Sequence, residues 1–166
     1  MSDESLRAFI NPDRFIAGTV GEPGSRSFYL QVREAGELMS IALEKEQLIA
    51  LAERLSIMLR ELRIPQVQGN LLEFNSDNSP LESPVSDDFR AQAIAIAYDE
   101  NLEKIEVELE SEETELVAIF LTLPQTRSFI RRSQLVINSG RAVCPFCSTP
   151  ISPQGHLCPR ANGYRR

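Results

Sequence analysis

The sequence has 166 residues, of which 42% are hydrophobic and 25% are charged, and its formal net charge is −7. This length suits one domain, or one domain with a small metal-binding appendix. No apolar run is long enough to cross a bilayer, and the acidic start lacks the apolar core of a signal peptide. We therefore exclude a helical membrane protein and expect a cytoplasmic one.

Residues 1–12 are predicted to be an N-terminal extension, and residues 13–63 a first unit of three strands and a helix. Apolar and polar residues alternate through three predicted strands, at residues 15–20, 28–33 and 39–44. From Lys45 to Leu62 the leucines take the spacing of a helix with one apolar face.

Residues 64–87 are rich in Pro, Asn and Asp and are predicted to be a loop or linker. Residues 88–140 then repeat the order of the first unit. Strands are expected at residues 89–98, 105–110 and 116–123, and Pro124 opens a helix that Gly140 ends. In the first of these strands, one face carries only small side chains, those of Ala91, Ala93, Ala95 and Ala97.

The recurrence of three strands and a helix predicts an α+β fold made of two βββα-like repeats. In this interpretation a mostly antiparallel sheet is packed by two helices, and a small zinc module follows at residues 141–166. The two units share a pattern rather than residue identity. The alternative is a single mixed sheet without internal symmetry.

All three cysteines and the only histidine fall within residues 144–158. They are Cys144, Cys147, His156 and Cys158, which make the four-ligand set that a closed tetrahedral zinc site requires. Pro145 favours a tight turn between the first two thiolates. We predict a structural Zn²⁺ here. A redox Cys-Pro-x-Cys pair and three unconnected thiols are the alternatives, and a catalytic zinc is disfavoured because no ligand position stays open.

Charge is distributed unevenly along the chain. Residues 1–124 hold 10 Lys/Arg and 24 Asp/Glu, whereas residues 125–166 hold seven arginines and no acidic residue. Either the basic end docks on the acidic body, or it binds an anionic partner. The candidate anion- or partner-binding residues are Arg160, Tyr164, Arg165 and Arg166.

Acidic residues elsewhere suggest weaker candidates. Glu106, Glu108 and Glu110 alternate along a predicted strand and share an outward face. Charge on such a face mainly prevents pairing with the edge of another sheet, and we favour this role over cation binding. The pair Asp87 and Asp88 is typical of a turn.

The C-terminal motif resembles the end of a bacterial family of short proteins of unknown function, known only as a conserved "repeat protein". The residues that carry the resemblance are Gly140-Arg141, Cys144-Pro145-Phe146-Cys147, Gly155-His156-Leu157-Cys158-Pro159-Arg160 and Asn162-Gly163-Tyr164, with Glu44-Lys45-Glu46-Gln47 and Ala97-Tyr98-Asp99. The resemblance implies no established activity.

The sequence favours a non-enzymatic, zinc-binding accessory or interaction protein with an unidentified protein partner. One alternative is a nucleic-acid or nucleotide-binding module whose contacts come from the basic end. Its residues would be Arg127, Arg131, Arg132, Arg141, Arg160, Tyr164 and Arg165. A second alternative is an enzyme with a site between the repeats, using Tyr98 and Asp99.

Overall fold

A computed structural model describes residues 6–22, 24–62 and 77–139 as an α+β fold with two helices and two four-stranded mixed sheets. The strands are β1 (Leu6–Phe9), β2 (Arg14–Val20), β3 (Ser27–Glu34), β4 (Glu37–Leu43), β5 (Phe89–Arg90), β6 (Ala93–Asp99), β7 (Lys104–Glu110) and β8 (Leu116–Leu121). The helices are α1 (Lys45–Leu62) and α2 (Leu123–Asn138).

Each sheet contains three consecutive antiparallel strands and one short parallel strand. Sheet I has the order β2-β3-β4-β5, and sheet II has the order β1-β8-β7-β6. The short strand of sheet I, β5, is parallel to β4, and that of sheet II, β1, is parallel to β8. Each short strand thus directly precedes one antiparallel set in the chain and pairs with the other.

The helix predicted over residues 45–62 is confirmed, and the second helix begins one residue earlier than predicted, at Leu123. Strand β1 lies inside the stretch that the sequence left as an extension. The single strand predicted over residues 89–98 is two strands, because the chain changes sheets there. The Ala91 amide donates to Ala42 of sheet I, whereas the Gln92 amide donates to Glu110 of sheet II.

The core lies where the inner faces of both sheets meet the two helices. Its largest fully buried side chains include Phe9, Leu30, Ile41, Leu48, Leu55, Ile105, Leu109, Ile119, Leu121 and Phe129. The rings of Phe15 and Phe129 stack with their centroids 4.5 Å apart, joining β2 to α2. Helix α2 packs against β2, α1 packs against β6, and the helices pack against each other.

A glutamine fixes the start of each helix. The Gln125 side chain accepts from the amide of Thr122, and the Gln47 side chain accepts from the amide of Glu44. Thr122 completes a capping box by accepting from the Gln125 amide. The amide nitrogen of each glutamine also reaches a chain segment between two strands. Gln125 donates to the carbonyl of Pro12, before β2, and Gln47 donates to those of Ala91 and Gln92, before β6.

Candidate functional site

The outer face of sheet I, which points away from the core, is covered by residues 77–88, here called the strap. At its start Arg14 of β2 forms a bidentate ion pair with Asp77, at 2.5 and 3.1 Å. Arg132 of α2 donates to the carbonyls of Asp77 and Ser79 and also to the Ala17 carbonyl of β2. The strap is therefore tied both to a strand and to a helix.

The middle of the strap seals two polar side chains into the sheet. Gln31 and Ser40 are each 1% exposed, and Gln31 donates to Ser40 and to the carbonyl of Glu82. The Glu82 amide returns a bond to the Gln31 side chain. Leu81 lies over Gly18 so closely that a Cβ at Gly18 would stand 2.5 Å from the Leu81 Cγ atom. A larger residue at this point of β2 would force the Leu81 side chain of the strap to move.

The charges beneath the strap shift the pKa values of two groups. The hydrogen bond from Arg14 holds the pKa of Asp77 below its ordinary value, against the opposing effect of burial. Burial lowers the pKa of Arg132, and the nearby Asp77 carboxylate opposes that shift. Arg14 and Arg132 are only 11% and 12% exposed, so both cations depend on Asp77 for a counter-charge.

The outer face of sheet II differs, because no segment of the described chain lies across it. Strand β7 contributes three half-buried glutamates, Glu106, Glu108 and Glu110, as the alternation predicted. Their neighbours on β6, which are Ala97, Ala95 and Ala93, are exposed. The pKa of Glu106 is raised by burial, and further by the carboxylates of Glu108 and Asp99. The row of three carboxylates on β7 makes this face acidic.

A groove of about 170 Å³ lies between α1 and β6, at the edge of sheet II. Its wall on α1 is formed by Gln47, Ala50, Leu51 and Arg54, and its wall on the strand side by Gln92, Ile94 and Ile96. Pockets that enclose a whole small molecule are usually about 300 Å³ or more. This groove fits one or two side chains of a longer ligand.

The groove corresponds in position to the place where the strap is tied down in sheet I. Arg54 lies seven residues after Gln47, and Arg132 lies seven residues after Gln125. Ala17 is the fourth residue of β2, and Ile96 is the fourth residue of β6. Arg132 donates to the Ala17 carbonyl, at 2.6 Å, and binds the strap. Arg54 is exposed and forms no ion pair with any residue the structure describes.

The predicted zinc ligands Cys144, Cys147, His156 and Cys158 lie outside the described residues, as do Arg160, Tyr164, Arg165 and Arg166. Within residues 6–22, 24–62 and 77–139, no group of three or more His, Cys, Asp or Glu side chains could hold a metal ion. The zinc site remains a prediction.

The other candidates have local roles. Tyr98 is half-buried against the core, and Asp99 accepts from the Leu102 amide in the turn before β7. Asp87 accepts from the Tyr29 hydroxyl, and Asp88 accepts from the Ser40 amide. Both aspartates therefore fasten the end of the strap to sheet I.

The arginines of α2 fall into two groups. Arg132 is engaged within the protein, whereas Arg127 and Arg131 are exposed one turn apart. Sequence reasoning missed the groove and Arg54. The available signal was the uncharged alternation of Ala and Ile in β6, but the position of that strand at a sheet edge depends on long-range pairing.

In the part of the chain that is described, no helix is both long enough and apolar enough to cross a membrane.

Comparisons with known proteins give one match. Searches of the curated proteins and of the solved structures returned no match. The sequence profile of a family described as "Protein of unknown function (DUF3090)" matches residues 7–158, which is most of the chain. The chain belongs to the DUF3090 family.

Proposed function

We propose that this chain is a non-enzymatic interaction protein, built from two related βββα halves and carrying a structural zinc, that binds an extended segment of a protein partner along β6. The observation that carries the proposal is the contrast between two matching sites. The site on α2 and β2 is filled by the strap, whereas the α1–β6 groove has no described occupant.

The relation between the halves is supported by residues at matching positions. Phe9 of β1 pairs with Ile119 of β8, and Phe89 of β5 pairs with Ile41 of β4. The glutamines that cap α1 and α2 each donate to the segment that precedes an edge strand. An internal duplication explains why these pairs recur, since the structural positions repeat although few residue types do.

The chemistry of the groove indicates what kind of segment it binds. Strand β6 is an edge strand, so part of its backbone N–H and C=O groups face outward and can pair with another strand. The groove adds aliphatic walls from Leu51, Ile94 and Ile96 and one cation, Arg54. In the filled site, Arg132 faces the carboxylate of Asp77 at 4.0 Å. We therefore expect an extended partner segment with one apolar side chain and one acidic side chain.

The partner site is tested by photo-crosslinking in cells of the source organism. A photoreactive residue at Ala50, on the α1 wall of the groove, should crosslink a discrete protein, and the same residue at the exposed Leu135 of α2 should not. Arg54→Glu should reduce the Ala50 crosslink several-fold, and Arg60→Glu on the same helix is the matched control. Equal products from both crosslinking positions, or no effect of Arg54→Glu, would contradict the proposed site.

The zinc is assigned to Cys144, Cys147, His156 and Cys158, because they are the only Cys and His side chains in the chain and lie within fifteen residues. Protein purified without added metal should contain one zinc per chain by elemental analysis. Cys147→Ser should reduce that content and leave α1 and β7 protected from hydrogen exchange. A zinc content near zero that does not rise on reconstitution under reducing conditions would refute the assignment.

A second candidate function is the binding of a polyanion, such as a nucleic acid, through the basic end. It is favoured by Arg127 and Arg131, which are exposed one helical turn apart and form no ion pair with a described residue. They would act together with Arg160, Tyr164, Arg165 and Arg166. Affinity for single-stranded RNA that falls steeply with salt, and is lost in Arg127→Gln with Arg131→Gln, would support this function. Salt-independent or absent binding would exclude it.

A further inference from the structure

We propose that the C-terminal segment, residues 140–166, docks on the outer face of sheet II of its own chain, as the strap covers the outer face of sheet I. This intramolecular contact is separate from the partner groove on α1 and β6. In this arrangement the acidic face of sheet II binds the basic end of the same chain.

The face offers two kinds of surface to a covering segment. Along β7, Glu106, Glu108 and Glu110 form an acidic row, and burial already raises the pKa of Glu106. On the other side of that row lie apolar side chains of β8 and β1, including Phe120 and Leu6, the latter 60% exposed. An occupant should therefore combine cations with apolar side chains and carry no carboxylates.

The C-terminal segment has this composition. Residues 140–166 contain four arginines and no acidic residue, with Phe146, Ile151, Leu157 and Tyr164 as large apolar or aromatic side chains. The same composition makes the segment a poor ligand for the groove, because Arg54 calls for a carboxylate. Charge thus separates the two surfaces, since the groove suits an acidic partner and the outer face suits the basic end.

The path of the chain after each helix supports the same conclusion. After α1, residues 63–76 lead to the strap, which starts at Asp77 beside Arg14 of sheet I. After α2, Arg26 donates to the carbonyl of Ser139 at 2.9 Å and so fixes where the C-terminal segment begins. The twenty-seven residues that follow Ser139 exceed the fourteen between α1 and the strap. At about 3.3 Å per extended residue, the eight residues 159–166 that follow the proposed zinc loop span roughly 26 Å, enough to lie along the row from Glu106 to Glu110.

The test uses the full-length protein with a photoreactive residue at Glu108, and with the same residue at the exposed Ile57 of α1 as the control position. After irradiation of a mixture of isotopically light and heavy protein, crosslinked peptides are mapped by mass spectrometry. We expect crosslinks from position 108 to peptides of residues 140–166 within one molecule, and none from position 57. Replacing Arg160, Arg165 and Arg166 with Gln should reduce the yield several-fold.

A second measurement does not depend on the crosslinker. In the intact chain the docked arginines should lower the pKa of Glu106, so a carboxyl NMR titration should give a lower value than in the triple Gln variant. An unchanged Glu106 pKa together with no crosslink to residues 140–166 would overturn the proposal. Mixed light–heavy crosslinks would also overturn it and assign the face to a second copy. Crosslinks only to another protein would assign it to a partner.

Discussion

Sheets I and II have the same strand arrangement, but the strap covers the outer face of sheet I and no described segment covers that of sheet II. The outer face of sheet I buries polar side chains, Gln31 and Ser40, beneath a strap that satisfies their hydrogen bonds. That of sheet II presents glutamates and alanines, with no described segment above them. The difference shows that sheets of the same strand arrangement can differ in what covers them. Side chains of the covered face are buried and hydrogen-bonded to the strap, whereas the described chain leaves the alanines of the other face exposed.

Removing Asp77 should have the largest effect on stability. Asp77→Ala leaves Arg14 and Arg132, which are 11% and 12% exposed, without their counter-charge. We expect the free energy of unfolding to fall by about 3 kcal/mol in urea denaturation. The matched change in sheet II, Arg54→Ala, should stay within about 0.5 kcal/mol of the wild type. Similar losses of stability in both variants would contradict the proposal that the site on α2 and β2 is occupied and the α1–β6 groove is not.

The same ion pair should make the strap sensitive to acid. Hydrogen bonding from Arg14 lowers the folded-state pKa of Asp77, so the pair stabilises the fold above the unfolded pKa of about 3.9. That contribution is lost as the pH falls through the lowered folded-state pKa. The stability difference between wild type and Asp77→Asn should therefore be large at pH 7 and shrink progressively below about pH 4. A difference that is constant from pH 7 to pH 2 would exclude the carboxylate as its source.

The next largest effect should come from Gly18. Gly18→Ala places a methyl group against Leu81, and we expect a loss of about 2 kcal/mol. Leu81→Ala in the same chain should recover part of that loss in a double-mutant cycle. Ala97 has the corresponding place in β6, and Ala97→Val should change stability by no more than about 0.5 kcal/mol. Additive effects of Gly18→Ala and Leu81→Ala would show that Leu81 of the strap does not limit the space beside residue 18.

The smallest effect compares the two helix-capping glutamines. Gln125→Ala removes bonds to Thr122 and Pro12, and Gln47→Ala removes bonds to Glu44, Ala91 and Gln92. Because the bonds are partly exposed, each variant should lose about 1 kcal/mol in thermal or urea unfolding. Losses that differ by more than about 1.5 kcal/mol would argue against equivalent roles for the two residues.

Local features of the fold could be predicted from the sequence, and long-range features could not. Periodicity located both helices and the antiparallel strands, because it records which side chains face the core. It could not show that the chain changes sheets between Ala91 and Gln92, since that depends on partners at Ala42 and Glu110. The strap was predicted as a loop because its order comes from Arg14 and Arg132, which lie more than fifty residues away.

The candidate site was predicted only in part. The acidic row of β7 was found by alternation, but its position beside an edge strand was not. Arg54 carries no sequence signal that separates it from other exposed helix arginines. The four zinc ligands were predicted from their spacing alone, lie outside the described residues, and stay a prediction that elemental analysis can test.

The exchange of short strands also constrains the order in which the protein can fold. Leu6 of β1 pairs with Leu116 of β8, so 110 further residues must be synthesised after Leu6 before this pairing can form. Likewise, β4 cannot pair with β5 until α1 and the strap have been synthesised, because β5 follows both in the chain. Contacts of such long sequence separation slow folding, because the chain entropy of a large loop is lost before the contacts are gained. Neither half can complete its sheet alone on the ribosome, so we expect separately expressed halves to become ordered only when mixed.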